Sequence, residues 1–226
     1  MLNTNLRRLK LSAWFFLHAP QDFFLKLKLQ KFLFFYESFC FTLNYNYDFS
    51  YLKGYKKGPV FSDAYGDYTY REPLFLATIE SIAETLKKAT QGALCDTDIN
   101  EEVAKKAAFL VSILNQEELS ELTHDFDIWK NEKSRIDNNE QHVNLSHSNF
   151  SNQDKEFASD LYFLYSVEQI DNWDIIKVGK TNFLISKEEK KQLNSDLENA
   201  LSELSTKQFD NPVYISVENG VIVVDS

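Results

Sequence analysis

Cysteine is scarce in this chain, with two among 226 residues. Neither Cys40 nor Cys95 has a close partner of the CxxC kind, so no disulfide framework and no zinc motif is expected, and a reducing, cytoplasmic setting fits. Glycine and proline are also few, at 6 and 4, which excludes collagen-like and Gly/Pro-rich low-complexity chains. Long apolar runs are missing as well. Leu11 to Leu17, behind Arg7, Arg8 and Lys10, imitates a secretory leader but lacks a small-residue cleavage site and is soon followed by Lys26, Lys28 and Lys31. Phe32 to Leu43 is too short to span a bilayer and contains Glu37 and Ser38. No membrane segment is expected.

Aromatic side chains, by contrast, are abundant: 19 Phe and 11 Tyr. That much apolar surface offsets chain entropy and excludes a disordered chain. The net charge of −10 is unevenly spread, at +6 over residues 1–58, −9 over 59–147 and −7 over 148–226. An acidic bulk repels nucleic acid and favours basic partners, while the basic first quarter could form a local positive patch.

Helix is the dominant pattern. Leu6, Leu9, Ala13, Phe16 and Leu17 form one stripe, ended by Pro20. In the next helix Leu25, Leu29, Phe32, Leu33, Tyr36, Phe39, Cys40 and Leu43 share one sector at about 100° per residue. Phe23, Leu27, Phe34 and Phe41 lie opposite. Such a helix is either central or offers one face to a partner. Tyr45 to Tyr70 is aromatic and rich in turn residues, suited to short strands or loops. Helices follow from Pro73 to about Gln91-Gly92, from Asn100 through Leu114, and from Gln116 to Ile136. Polar residues then dominate to Glu156.

Beyond that stretch the pattern is mixed. Phe157, Leu161, Leu164 and Tyr165 mark a helix, and two short strands flank Gly179. Ser186 and Glu189 form a capping box for a helix carrying Leu193, Leu197, Leu201 and Leu204. Val213 to Val224 alternates about Asn219-Gly220, a strong hairpin signal. The expectation is therefore a mainly α protein: a compact helical domain over 1–136 with a short aromatic turn or strand segment, a polar linker or long loop over 137–156, and a small α+β extension over 157–226 ending in a β-hairpin.

Signs of catalysis are few. The run Asp96, Asp98, Asn100, Glu102 starts like a calcium loop, but Glu101 replaces the turn glycine and Ala107 the closing glutamate. Glu121 and His124 make half of a di-iron motif without a second half. His142 and His147 have no zinc spacing. Nucleophile elbows, phosphate-binding loops and dinucleotide fingerprints are missing. Cys40 lies mid-stripe as a small hydrophobe. No enzyme activity, metal or cofactor is expected.

Three segments together resemble the Panacea family, the antitoxin domain of SocA-like and GepA-like bacterial and phage proteins. The first is Leu27-Lys28-Leu29-Gln30-Lys31-Phe32-Leu33-Phe34-Phe35. The second is Tyr55-Lys56-Lys57-Gly58-Pro59-Val60 with Tyr65 beyond it, and the third Leu119-Ser120-Glu121-Leu122-Thr123-His124 with Trp129. They cover roughly residues 6–136 in family order. Leu52-Lys53-Gly54-Tyr55 stands where the family commonly has an Ala-Trp pair. The resemblance implies a toxin-neutralising protein that works by direct contact with a cognate protein toxin, as a hetero-oligomer with it or as a homodimer. The motif residues Leu29, Lys31, Gly58, Pro59, Val60, Tyr65, Thr123, His124 and Trp129 read as fold-defining. Pro59 favours an extended Gly58 in a rigid turn, and Thr123 and His124 can bond backbone near a helix start.

Partner contact is expected at Phe34, Phe41, Tyr45, Tyr47, Tyr51, Lys56 and Lys57, since aromatic anchors dominate interface energetics. Two rivals stand beside this reading. One is a protease adaptor or phage accessory protein acting on a host protein. The other is a DNA-binding autoregulator using Arg7, Arg8, Lys10, Lys26, Lys28 and Lys31, which lacks a helix-turn-helix signature and is opposed by the surrounding acidity.

Overall fold

The computed structural model describes residues 1–91, 99–140, 143–207 and 209–225, with the backbone alone at 89–91. The described chain is mainly helical. Cys95, the acidic residues Asp96 and Asp98, the Gly92 helix stop and His142 lie outside the described residues.

Helix α1 (Leu6–His18) begins at Asn5, whose side chain accepts the Arg8 amide, and a one-turn α2 (Pro20–Phe23) links it to α3 (Lys26–Thr42). Every residue of α3 from Lys28 to Cys40 is buried. Both of its apolar faces are used, so α3 is the central helix of the fold. Phe15 stacks on Phe32 at 4.3 Å from one side, and Phe126 meets Phe34 edge-on at 5.1 Å from the other. Each such ring, taken fully out of water, contributes about 1.5–3 kcal/mol.

Strands β1 (Leu52–Tyr55) and β2 (Gly58–Phe61) form a hairpin around Lys56 and Lys57, and α4 (Ser62–Tyr70) follows directly. Helices α5 (Glu72–Gln91) and α6 (Glu101–Ile113) correspond to the expected stripes, and Asn100 caps α6 through the Val103 amide. The single helix expected over Gln116–Ile136 is three pieces: α7 (Gln116–His124), α8 (Asp127–Lys130) and α9 (Lys133–Asp137). The break is imposed from a distance. Asp154, 1% exposed, accepts the amides of Asp127 and Ile128 and so starts α8 afresh.

The stretch expected to be a polar linker or long loop, 137–156, contributes residues to the main core. β3 (Val143–Asn144) pairs antiparallel with β1, giving the sheet order β2-β1-β3. Val143, Leu145 and Phe150 are buried in the main core. They are three apolar residues in an otherwise polar stretch, too few for a periodicity to reveal them. Close approach of α9 explains Gly54, where a Cβ would come within 2.5 Å of Ile136 Cδ1.

Helix α10 (Asn152–Phe163) carries Ala158 and Tyr162 into the same core, and α11 (Val167–Asn172) leads to the second sheet. That sheet contains β4 (Trp173–Val178), β5 (Thr181–Ser186), β6 (Val213–Glu218) and β7 (Val221–Asp225) in the order β4-β5-β6-β7, with β5 and β6 parallel. The Ser186 cap starts only the one-turn α12 (Lys187–Lys190), and Asn194 then caps α13 (Ser195–Leu204). Asn219 and Gly220 both take positive φ in the β6–β7 turn, as a two-residue hairpin requires. Asn182 Nδ2 donates to Ile113 O at 2.9 Å, and Asn211 Nδ2 donates to Glu118 at 3.0 Å, joining this sheet to α6 and α7. No helix among the described residues is long and apolar enough to cross a membrane.

Candidate partner-binding site

Several basic residues of the first quarter of the chain are paired inside the fold. Arg7 grips Glu37 with Nε and Nη2 at 2.7 and 2.9 Å. Arg8, fully buried, pairs with Asp63 at 2.9 Å, and Lys28 with Asp22 at 2.9 Å. A continuous positive face built on Arg7, Arg8, Lys28 and Lys31 therefore does not form. Charge along a sequence is blind to such pairing, because Glu37 and Asp63 lie 30 and 55 residues from their arginines.

Lys31 is the exception among the buried cations. Its side chain is buried under the β1–β2 turn, where Nζ donates to Lys57 O and to Thr123 Oγ1, the latter at 2.7 Å. Among the described residues no carboxylate offsets its burial, which pushes the amine down to about 7. Gly58 sits against it with φ +100°, a conformation that favours glycine. A Cβ there would overlap both Lys31 Nζ and Thr123 Oγ1. The left-handed glycine replaces the extended one expected from Pro59.

Thr123 and His124 occupy the end of α7, not its start as expected. Thr123 Oγ1 donates back to Leu119 O at 3.0 Å while accepting from Lys31. His124 stacks on Trp129 at 3.8 Å and 16°, and Trp129 Nε1 donates to Tyr55 O at 2.9 Å. Burial first, then the charge of Lys31, holds the His124 ring below its ordinary value. Lys31, Gly58, Thr123, His124 and Trp129 thus converge on one turn. Leu29, Pro59 and Val60 are buried in the same body, and Tyr65 on α4 leans on Tyr55 at 5.7 Å.

Beside the turn lies a cleft of about 340 Å³ lined by Lys26, Leu27, Gln30 and Lys31 of α3, by Tyr55, Lys56, Lys57 and Val60 of the hairpin, and by Tyr65 and Gln116. Lys56 and Lys57 are exposed and have no ion-pair partner among the described residues, whereas Lys26 reaches Glu72 at 3.7 Å. Gln30 is 2% exposed. Its Oε1 accepts the Phe61 amide at 2.8 Å, which fixes the amide orientation and leaves Nε2 without an acceptor. The sequence offers Lys26 only to the nucleic-acid alternative, carries Gln30 and Tyr55 within the family-like segments without a contact role, and gives Gln116 none. The available signal was a lone carboxamide in a helix that is apolar on two sides.

The expected contact residues divide. Phe34 is wholly buried against Phe35 and Phe126 and does not reach the surface, because α3 is enclosed on that side. Phe41 is partly buried, boxed by Tyr47, Phe49 and Phe150, with the Lys155 ammonium 5.0 Å from its ring centre. Tyr45, Tyr47 and Tyr51 are exposed. Cys40 is buried, and that burial lifts its thiol to about 11, so it is not a reactive group. Among the described residues no three His, Cys, Asp or Glu side chains are grouped to hold a metal. Compared with known proteins, the chain matches no family model, no curated protein and no solved structure.

Proposed function

We propose that this chain is an antitoxin of the Panacea type, which neutralises a cognate protein toxin by direct binding and carries out no chemistry of its own. The reading rests on one observation. The three segments that resemble the family meet around the Lys31–Thr123 hydrogen bond, between residues 92 apart in sequence. Segments that define a scaffold are expected to be those whose mutual position the fold must fix. Here an ammonium, a glycine and a hydroxyl are fitted to one another with no space for a substituent.

The surroundings support binding over catalysis. The open cleft is lined by lysines and phenols, which suit recognition, and the exposed Tyr45, Tyr47 and Tyr51 lie nearby in sequence as further aromatic anchors. A DNA-binding role is weakened by the burial of Arg8, Lys28 and Lys31, since phosphate contacts need accessible cations. The test is growth of cells that induce the product of the neighbouring gene, with and without this chain. Restored growth together with co-purification of the two proteins is the expected result. A harmless neighbour, or toxicity that persists beside this chain, contradicts the reading.

A further inference from the structure

We propose that the cleft between α3 and the β1–β2 turn is a receptor for an acidic side chain of the bound protein, gathered in by Lys26, Lys56 and Lys57. This rests on the antitoxin reading and adds the chemistry of the contact. Four of the ten lining residues are lysines and none is acidic. In a chain of net charge −10 that local composition is the reverse of the whole.

Charge complementarity names the occupant. The two turn lysines have no internal acid among the described residues to satisfy them, and Lys26 has a long 3.7 Å contact with the exposed Glu72 and lies 4.8 Å from the Tyr68 ring centre. An entering carboxylate would supply the missing charge at short range, with water partly excluded by Leu27, Val60 and the two tyrosine rings. Gln30 adds a second, independent indication. Its Nε2 is a buried donor with no acceptor among the described residues, a desolvated group that an entering carboxylate oxygen would satisfy. Lys31, at the base of the same cleft, carries a positive charge that burial disfavours, so a nearby carboxylate would also favour its protonated form.

An acidic segment of a protein fits better than a free anion. The cleft is open on the protein surface and combines cations with Tyr55, Tyr65 and Leu27, a mixed wall that suits a side chain carried on a peptide. The bulk of this chain, at −16 over residues 59–226, repels a uniformly acidic partner but leaves this cleft to one acidic protrusion.

The experiment uses the ¹⁵N-labelled full chain titrated with the peptide acetyl-Asp-Glu-Asp-Glu-amide, its neutral counterpart acetyl-Asn-Gln-Asn-Gln-amide, or sodium phosphate. Saturable shifts of the Gln30 side-chain amide and of the Lys57 and Gly58 backbone amides are expected with the acidic peptide. Binding should weaken at least about tenfold with the neutral peptide or in the K56E/K57E double variant. No saturable shift, equal shifts with the neutral peptide, or the same shifts with phosphate alone would overturn the proposal. Failure of the antitoxin reading would appear separately, as absence of growth rescue while the acidic peptide still binds.

Discussion

Lys31 Nζ donates to Thr123 Oγ1 at 2.7 Å in a space that contains no carboxylate. One ammonium on the central helix thereby holds the end of α7 and the β1–β2 turn together, and it does so at an electrostatic cost. Because its value in the fold, about 7, lies below the ordinary lysine value of 10.5, the unfolded chain binds more protons between those two limits. Stability therefore rises with pH through this window. The wild-type chain should be more resistant to urea at pH 9 than at pH 6. Lys31→Met should lose most of that slope and, at pH 9, cost about 1–3 kcal/mol for the unpaired Lys57 carbonyl. An unchanged slope in the variant would assign the pH dependence to other groups.

Gly58→Ala combines a left-handed backbone with overlap on Lys31 Nζ and Thr123 Oγ1. A loss of about 2–3 kcal/mol is expected from strain and overpacking together. Gly66→Ala is the control, since nothing lies within 4 Å of a Cβ there and the residue is within α4. It should leave stability unchanged or raise it by up to about 1 kcal/mol. Chemical denaturation of the two variants side by side decides the matter.

Removing Arg7 strands Glu37, whose side chain is fully buried. Arg7→Met should cost about 3 kcal/mol or more at pH 7. Burial already holds the Glu37 carboxyl above its ordinary value, and loss of the arginine raises it further. Protonating Glu37 then removes the uncompensated charge, so the destabilisation should shrink as pH falls toward 5. A penalty independent of pH would mean that packing of the Arg7 stem, not its charge, is what is lost.

Much of the fold can be read from residue pattern, and the exceptions share a cause. The stripe in α1, the two-faced α3, the Asn100 start of α6 and the Asn219-Gly220 turn are local signals, and each element forms where its pattern lies. The splitting of residues 116–136 is set by Asp154, distant in sequence, and the ordering of Val143 to Phe150 depends on pairing with β1. Neither has a local periodicity to betray it. The same holds for the site. The Gly-Pro-Val and Thr-His segments are recognisable as words, whereas their junction at Lys31 depends on tertiary packing. Phe34 behaves alike: an aromatic stripe opposite the main core face reads as a patch until Phe126, just ahead of α8, is found against it.

Growth rescue with the K56E/K57E variant tests the proposed neutralisation of a toxin through the lysine-lined cleft. Both lysines are exposed and without ion-pair partners among the described residues, so the variant should unfold within about 0.5 kcal/mol of wild type. Cells inducing the neighbouring gene's product should grow with the wild-type chain and stop growing with the equally stable variant. Full rescue by that variant, at equal protein level, would contradict the account.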